Sequence, residues 1–353
     1  MKYENIKYIV ASIFIFLVII LGSGEIITRI FGATIVYEYN KTLGWQPKKN
    51  FSRRIQAVDQ SGEKYFVDYS ANKYGFREFG NLDNNKKRIF FIGDSWTGDP
   101  NTSDEDAYFG IVKKQLPVEV FAIGAGGYGT LQELMLVKKF AGLIKPDIFV
   151  LQYCDNDIIN NSFFLEGESI ARNQKNLRPY WVDGRIQYRL SANSPYVFLY
   201  RKSRLFRTLD GLLSTLQYKI YKGYYPPQYA AYEAYGNDFT KGLPPEVAAK
   251  LIAQKAKAVS ITGFLMSEMR RDLPNTKLIT FSASSDEPEE LRIWQSLAKN
   301  AGFIPYAAVS MKVEEAEKKG EIVRIHDGAH WNRLGNKIAG DELVKIIRRD
   351  FLQ

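Results

Sequence analysis

The stretch Arg88 to Asp99, RIFFIGDSWTGD, puts a hydroxyl where chemistry is possible. Ile89 to Ile92 are apolar without alternation, as in a strand buried on both faces, and the run stops at Gly93. Ser95 therefore stands just past the carboxyl end of a predicted strand, the edge at which open α/β sheets bind ligands. A serine becomes a nucleophile at neutral pH only beside a base. The chain offers two histidines, His326 and His330, both in IHDGAHWN near its far end. Asp327 and His330 are three apart before a predicted helix, so one tight turn can join carboxylate and ring. His330 would then take the proton of Ser95, and Asp327 would orient the imidazole and stabilise its charged form. His326 lies outside that spacing and reads as structural. A tetrahedral oxyanion needs fixed donors, and two later features supply candidates: the glycine cluster GAGGYG and Asn156 in CDND. Asp94 and Asp157 alone are a poor metal pair, so no metal is expected.

The elements that must position these groups follow a regular order. Ser103 with Asp106 predicts a helix start, running to Leu116 before Pro117. Val118 to Ile123 predicts a second buried strand, ending in the glycine cluster. Thr130 with Glu133 has capping-box spacing and opens a helix through Leu143. IFVLQY predicts a third strand before CDND. A long helix from Pro244-Pro245-Glu246 to Leu273, a strand in KLITFSA, a helix from Glu287 to Asn300, a short strand at Phe303 to Tyr306 and a helix from Asn332 to Phe351 complete the pattern. Strands alternating with helices at this spacing require right-handed crossovers and a parallel sheet. The alternation lapses at about 161–243, a stretch with 11 of the 22 tyrosines and 12 basic against 6 acidic residues, which reads as an insertion.

Ahead of this domain, the run YIVASIFIFLVIILGSG from Tyr8 to Gly24 has no charge and approaches the roughly 17 to 25 residues that span a bilayer. Lys2 and Lys7 before it favour a cytoplasmic N-terminus, which exports everything after Gly24. An uncleaved anchor is expected, because EIITRIFG continues the helical pattern. Residues 33–86 read as an extension without chemistry, with strand alternation in KYFVDYS and a turn in NKYGFRE leading back to the sheet. The net charge of +9 favours anionic partners, but no nucleic-acid motif is present. One cysteine, Cys154, excludes an internal disulfide.

On FIGDSWT, GAGGYGT, CDND and DGAHWN, the chain resembles the SGNH, or GDSL, hydrolase superfamily of esterases and lipases, over roughly Lys87 to the C-terminus. NKYGFRE resembles membrane-anchored bacterial members. The resemblance implies a three-layer α/β/α fold with a central parallel, flavodoxin-like sheet, and Ser95, Asp327 and His330 as catalytic residues. It implies oxyanion donors from the Ser95 amide, Asn156 and a glycine that maps best onto Gly127, ahead of Gly124 and Gly126. It implies no cofactor. Two departures stand out: Trp96 where the family usually has Leu, and Cys154 where it often has Gly. Trp96, Tyr128 and Trp331, which flank these motifs, are expected to touch substrate.

The domains expected are a membrane anchor at 1–32, the extension at 33–86 and the hydrolase-like domain at 87–353. The function expected is a single-pass, extracytoplasmic serine esterase that removes an acyl group, most simply acetyl, from an envelope or exported glycan, working beside envelope polysaccharide machinery. The alternatives are an O-acetyltransferase for an exported polysaccharide, using the same Ser-bound acyl group, and a non-catalytic glycan-binding or assembly protein.

Overall fold

The computed structural model describes residues 2–170, 174–224, 231, 239–284 and 288–352. Glu287 and the tyrosine-rich stretches 225–230 and 232–238 lie outside the described residues. Helix α1 (Lys2–Phe31) leads to two antiparallel ribbons, β1 (Tyr37–Asn40) with β2 (Gly44–Pro47) and β3 (Phe51–Val58) with β4 (Lys64–Ala71). The alternation in KYFVDYS forms β4. Six strands make the central sheet. They include β5 (Glu78–Phe79), β6 (Arg88–Gly93), β7 (Glu119–Gly124) and β8 (Ile148–Tyr153). A separate hairpin, β9 (Pro179–Val182) with β10 (Arg185–Tyr188), lies in the insertion, and β11 (Lys277–Ser282) and β12 (Ile304–Pro305) return to the sheet.

The sheet order is β12-β11-β8-β6-β7-β5. From β7 to β12 the neighbours are parallel, which is the flavodoxin-like order with its switch point between β6 and β8. The sheet is not wholly parallel: NKYGFRE delivers β5 as an antiparallel edge strand on β7. Alternation divides the core. Phe90, Ile92, Phe149 and Leu151 face α4 (Thr130–Ile144), α9 (Pro245–Asp272) and α10 (Pro288–Asn300). Ile89, Phe91, Val120 and Val150 face α3 (Tyr108–Gln115), α11 (Ala308–Lys318) and α12 (Arg333–Phe351). A sheet covered on both faces needs apolar side chains in both directions, which is why these strands read as unbroken apolar runs. Between them come α2 (Ser95–Gly98) and α5 (Asn156–Asn161), which start at the carboxyl ends of β6 and β8. The insertion adds α6 (Phe163–Glu168), α7 (Pro195–Lys202) and α8 (Arg204–Tyr224).

Two local expectations are corrected, and one helix was not expected. α3 begins at Tyr108, not Ser103, because the Ser103 hydroxyl accepts the Asp68 amide at 3.0 Å and ties this turn to β4. α4 begins at Thr130, but the side chain reaching back is Gln132, which accepts the Gly129 amide at 3.1 Å; Glu133 is wholly buried instead. α11 is a helix that no capping pattern announced.

Gly93, Gly98 and Gly124 meet where α2 turns over the ends of β6 and β7. A Cβ on Gly124 would lie 2.6 Å from the Gly93 carbonyl oxygen, and one on Gly98 2.6 Å from that of Gly124. These contacts are between backbones, so neither partner can yield cheaply. Gly124→Ala is therefore expected to cost about 1–3 kcal/mol, the range for overpacking. Gly142→Ala, on the open side of α4 with nothing within 4 Å, should instead stabilise by about 0.4–1 kcal/mol. Parallel denaturant titrations of the two variants in detergent check this, and equal midpoints would contradict the close approach.

Candidate active site

The strand β6 ends at Gly93, and Asp94 then caps α2: its Oδ1 accepts the Trp96 amide at 3.1 Å, and its own amide donates to Gln152 Oε1 at 3.1 Å. Gln152 belongs to β8, so the start of α2 is fixed against the neighbouring strand. Ser95 is thereby held at the switch point of the sheet. From the other end of the chain, His330 Nε2 comes within 2.7 Å of Ser95 Oγ. His330 Nδ1 lies 2.6 Å from Asp327 Oδ2, while Asp327 Oδ1 accepts the amides of Ala329 at 2.8 Å and His330 at 3.0 Å. One carboxylate thus fixes both the turn and the ring. A proton on Nδ1 shared with Asp327 leaves Nε2 free to accept from Ser95.

The turn is clamped from behind. Arg324 donates to the Ala329 carbonyl at 2.7 Å and pairs with Glu317, and the Ile325 amide donates to the His330 carbonyl at 2.9 Å. His326 is exposed and held by its amide to the Val58 carbonyl at 3.0 Å, so the structure brings His330 and not His326 to Ser95.

Burial, the largest influence on His330, acts against its charged form. The hydrogen bond to Asp327 and the negative fields of Asp99, Asp327 and Asp94 outweigh it, and the pKa lies above the ordinary 6.5. Asp327 is affected in the opposite sense: burial pushes its pKa up, but the hydrogen bonds from His330 and the Ala329 amide outweigh that and hold it below the usual range. Burial pushes Asp94 and Asp99 up, and Glu133 and Asp157 well up. Asp94 is the cap of α2, and Asp157 accepts the Cys154 amide at 3.0 Å.

A cavity of about 980 Å³ opens over Ser95, lined by Trp96, Gly127, Asn156 and His330 among others. Asn156 opens α5, and Gly127 adopts φ +72°, a conformation that favours glycine. The three candidate glycines separate on geometry. Gly124 is a packing position within β7. The Gly126 amide donates to the Tyr37 hydroxyl at 2.9 Å, and its carbonyl accepts Trp45 Nε1 at 3.0 Å. Gly127 is left as the glycine whose amide can serve the cavity.

Two expected substrate contacts are corrected. Tyr128 is wholly buried, with its hydroxyl donating to the Trp45 carbonyl at 2.7 Å. Trp331 is buried too, edge-on to Trp96 at 4.8 Å and stacked on Phe281 at 6.3 Å. Both are large apolar groups whose surface is used up in the core. Trp96 does line the cavity, and its ring centre lies 4.9 Å from that of His330, tilted by 38°.

The extension also holds residues that sequence reasoning missed. Tyr37 bridges the Gly98 carbonyl and the Gly126 amide, at 3.0 and 2.9 Å, joining α2 to the glycine loop. Arg77, nearly buried, pairs with Asp104 and donates to the carbonyls of Thr97, Asp99 and Thr102. No spacing rule marks these residues. The nearest signal was an arginine in NKYGFRE, beside aromatic residues that would bury it.

No family model and no curated protein matches the chain. Among solved structures it is similar to a GDSL-like lipase from Parabacteroides merdae, with 12% identity over 74% of this chain and 96% of that one and a TM-score of 0.37. It is similar to the acetyl xylan esterase Est2A from Butyrivibrio proteoclasticus, with 13% identity over 82% of this chain and 66% of that one and a TM-score of 0.36. A carbohydrate esterase family 2 enzyme from Corynascus thermopiles is matched at 9% identity over 85% of this chain and 88% of that one, with a TM-score of 0.39. At these levels of likeness, the chemistry of the chain rests on its own side chains.

Proposed function

We propose that the chain is a membrane-anchored serine esterase acting outside the cytoplasm on an acyl ester, most simply an O-acetyl group of an envelope or exported glycan. The observation that carries this reading is the relay of 2.7 and 2.6 Å from Ser95 through His330 to Asp327. Ser95 Oγ attacks the ester carbonyl while His330 Nε2 takes its proton, and the charge on the ring is met by Asp327. The oxyanion is received by the amides of Ser95 and Gly127 and the side-chain NH2 of Asn156. Collapse expels the alcohol, which takes the proton back from His330, and leaves an acyl group on Ser95. Water, activated by the same imidazole, releases the acid. Trp96 presents an aromatic face to the ring that becomes charged, an arrangement that favours the imidazolium. The non-catalytic reading leaves this relay without a role.

The anchor is supported by α1, in which Ile6–Phe31 contains an 18-residue window of mean hydropathy 2.5 with none of it buried. Its 30 residues extend about 45 Å at 1.5 Å per residue, enough to cross a hydrocarbon core of about 30 Å. The glycan rests on the aromatic and basic insertion, although part of its charge is used internally: Arg204 binds the carbonyls of Gly32 and Ala33, and Arg207 that of Tyr200.

Turnover of p-nitrophenyl acetate by the full chain in detergent, with and without polysaccharide acceptors, tests the reaction. Hydrolysis in both cases supports the esterase, acceptor-dependent acetyl transfer supports the O-acetyltransferase, and no turnover contradicts both. Ser95→Ala and His330→Ala should each lower kcat by several orders of magnitude, with the double variant losing little more, because the two act as a unit; additive losses would contradict the shared mechanism. Asn156→Ala should cost about 2.7–4 kcal/mol of transition-state stabilisation. Because the base is neutral His330, kcat/KM should rise with pH through a midpoint above 6.5. Asp99→Asn removes a field that raises this pKa, so the acidic limb should move to lower pH with little change in plateau; an unmoved limb would contradict the electrostatic account.

A further inference from the structure

The helix α8 (Arg204–Tyr224) carries a stripe of exposed apolar side chains: Leu209, Leu212, Leu213, Leu216 and Ile220, each between 46 and 61% accessible. At about 100° per residue these five fall within an arc of roughly 100°. The opposite arc carries Ser214, Thr215 and Tyr218, which line the cavity over Ser95. One face of α8 therefore walls the candidate active site, while the other leaves about half of each of these five side chains exposed among the described residues.

The position of α8 says what covers that stripe. Its first turn is held by the end of α1: the Glu25 carboxylate accepts the amides of Arg204 and Leu205 at 2.9 and 3.0 Å and the Ser203 hydroxyl at 2.7 Å. Arg29 donates to the Lys202 carbonyl at 3.0 Å. Leu205 lies on the arc of the stripe and packs where a Cβ on Gly24 would be 3.0 Å away. The stripe thus begins in contact with the last turns of the apolar helix and runs on from them. Ile30 and Phe31 at the end of α1 and Phe198 on α7 are exposed as well, and Lys202, just before α8, and Lys219, on it, are exposed basic residues. An amphipathic helix with a leucine face and basic flanks, tethered where a spanning helix leaves the bilayer, has the pattern of an element lying in the membrane interface.

We propose that α8 docks its leucine stripe into the outer surface of the bilayer that α1 crosses, with the basic residues meeting anionic headgroups. The inference rests on α1 being the anchor. The cavity over Ser95 is then separated from lipid by about one helix diameter, roughly 10–12 Å, and the esterase works at headgroup level rather than at the end of a free tether. A soluble protein partner would have to displace a surface that the anchor keeps permanently within reach of the stripe.

The test uses the full chain in phosphatidylglycerol–phosphatidylethanolamine vesicles, in a Cys154→Ala background, with an environment-sensitive fluorophore on one cysteine at a time. The positions are Phe16→Cys in α1, Leu213→Cys and Leu216→Cys on the stripe, and Lys87→Cys at the amino edge of the sheet as the aqueous reference. Lipids spin-labelled near the headgroup should quench the probes at 213 and 216 several-fold more strongly than the probe at 87, and lipids spin-labelled deep in the chain should quench the probe at 16. Quenching at 16 with the stripe no more quenched than 87 overturns the docking and leaves the anchor standing. Quenching on the stripe without quenching at 16 overturns the anchor and leaves the docking. Quenching at neither overturns both.

Discussion

The 2.7 Å contact between Ser95 and His330 is the constraint on which the rest of the structure depends. Its partners come from the first and last parts of the sheet domain, so neither turn can place it alone. The sheet solves half of the problem: the order β7-β6-β8-β11-β12 puts Ser95 at the switch point, where crossovers diverge and leave an open crevice. The other half is solved by the segment between α11 and α12. The backbone bond from His326 to Val58 and Arg324's hold on the Ala329 carbonyl aim the turn of Asp327 to His330 at the crevice.

Electrostatics around this contact are uneven by design of the surroundings. Four carboxyl groups, Asp94, Asp99, Glu133 and Asp157, are buried near Ser95, and burial raises their pKa values. Asp327, holding two amides and the imidazole, is instead held below the usual carboxylate range. The environment therefore shifts acids of one chemical kind in opposite directions, the buried groups upward and the partner of His330 downward. Within the same region, Tyr37 and Trp45 from the extension secure Gly126 by both its amide and its carbonyl, which makes the glycine loop a fixed part of the site.

The residues of the relay were legible because their chemistry is local: a nucleophile needs a strand end, and a carboxylate three residues before a histidine can meet it in one turn. The alternation of strands and helices was legible for a similar reason, since each buried strand is an unbroken apolar run. What stayed hidden depends on contacts between distant segments. Arg77 and Tyr37 matter through the carbonyls they bind, which no pattern in the extension shows. Tyr128 and Trp331 were expected at the substrate because aromatic residues beside a motif suit binding, but the same apolar area suits the core, and packing claimed them. α8 was legible only as an aromatic and basic insertion; its two faces gain meaning from the cavity on one side and α1 at its start.

The central claim is that Ser95 is a nucleophile activated by His330. Its most direct measurement is covalent: the full chain treated with a serine-directed fluorophosphonate and mapped by peptide mass spectrometry. The account predicts one adduct, on the peptide carrying Ser95, formed slowly or not at all in His330→Ala and unchanged in His326→Ala. Labelling elsewhere, or labelling of Ser95 at the same rate without His330, would contradict it.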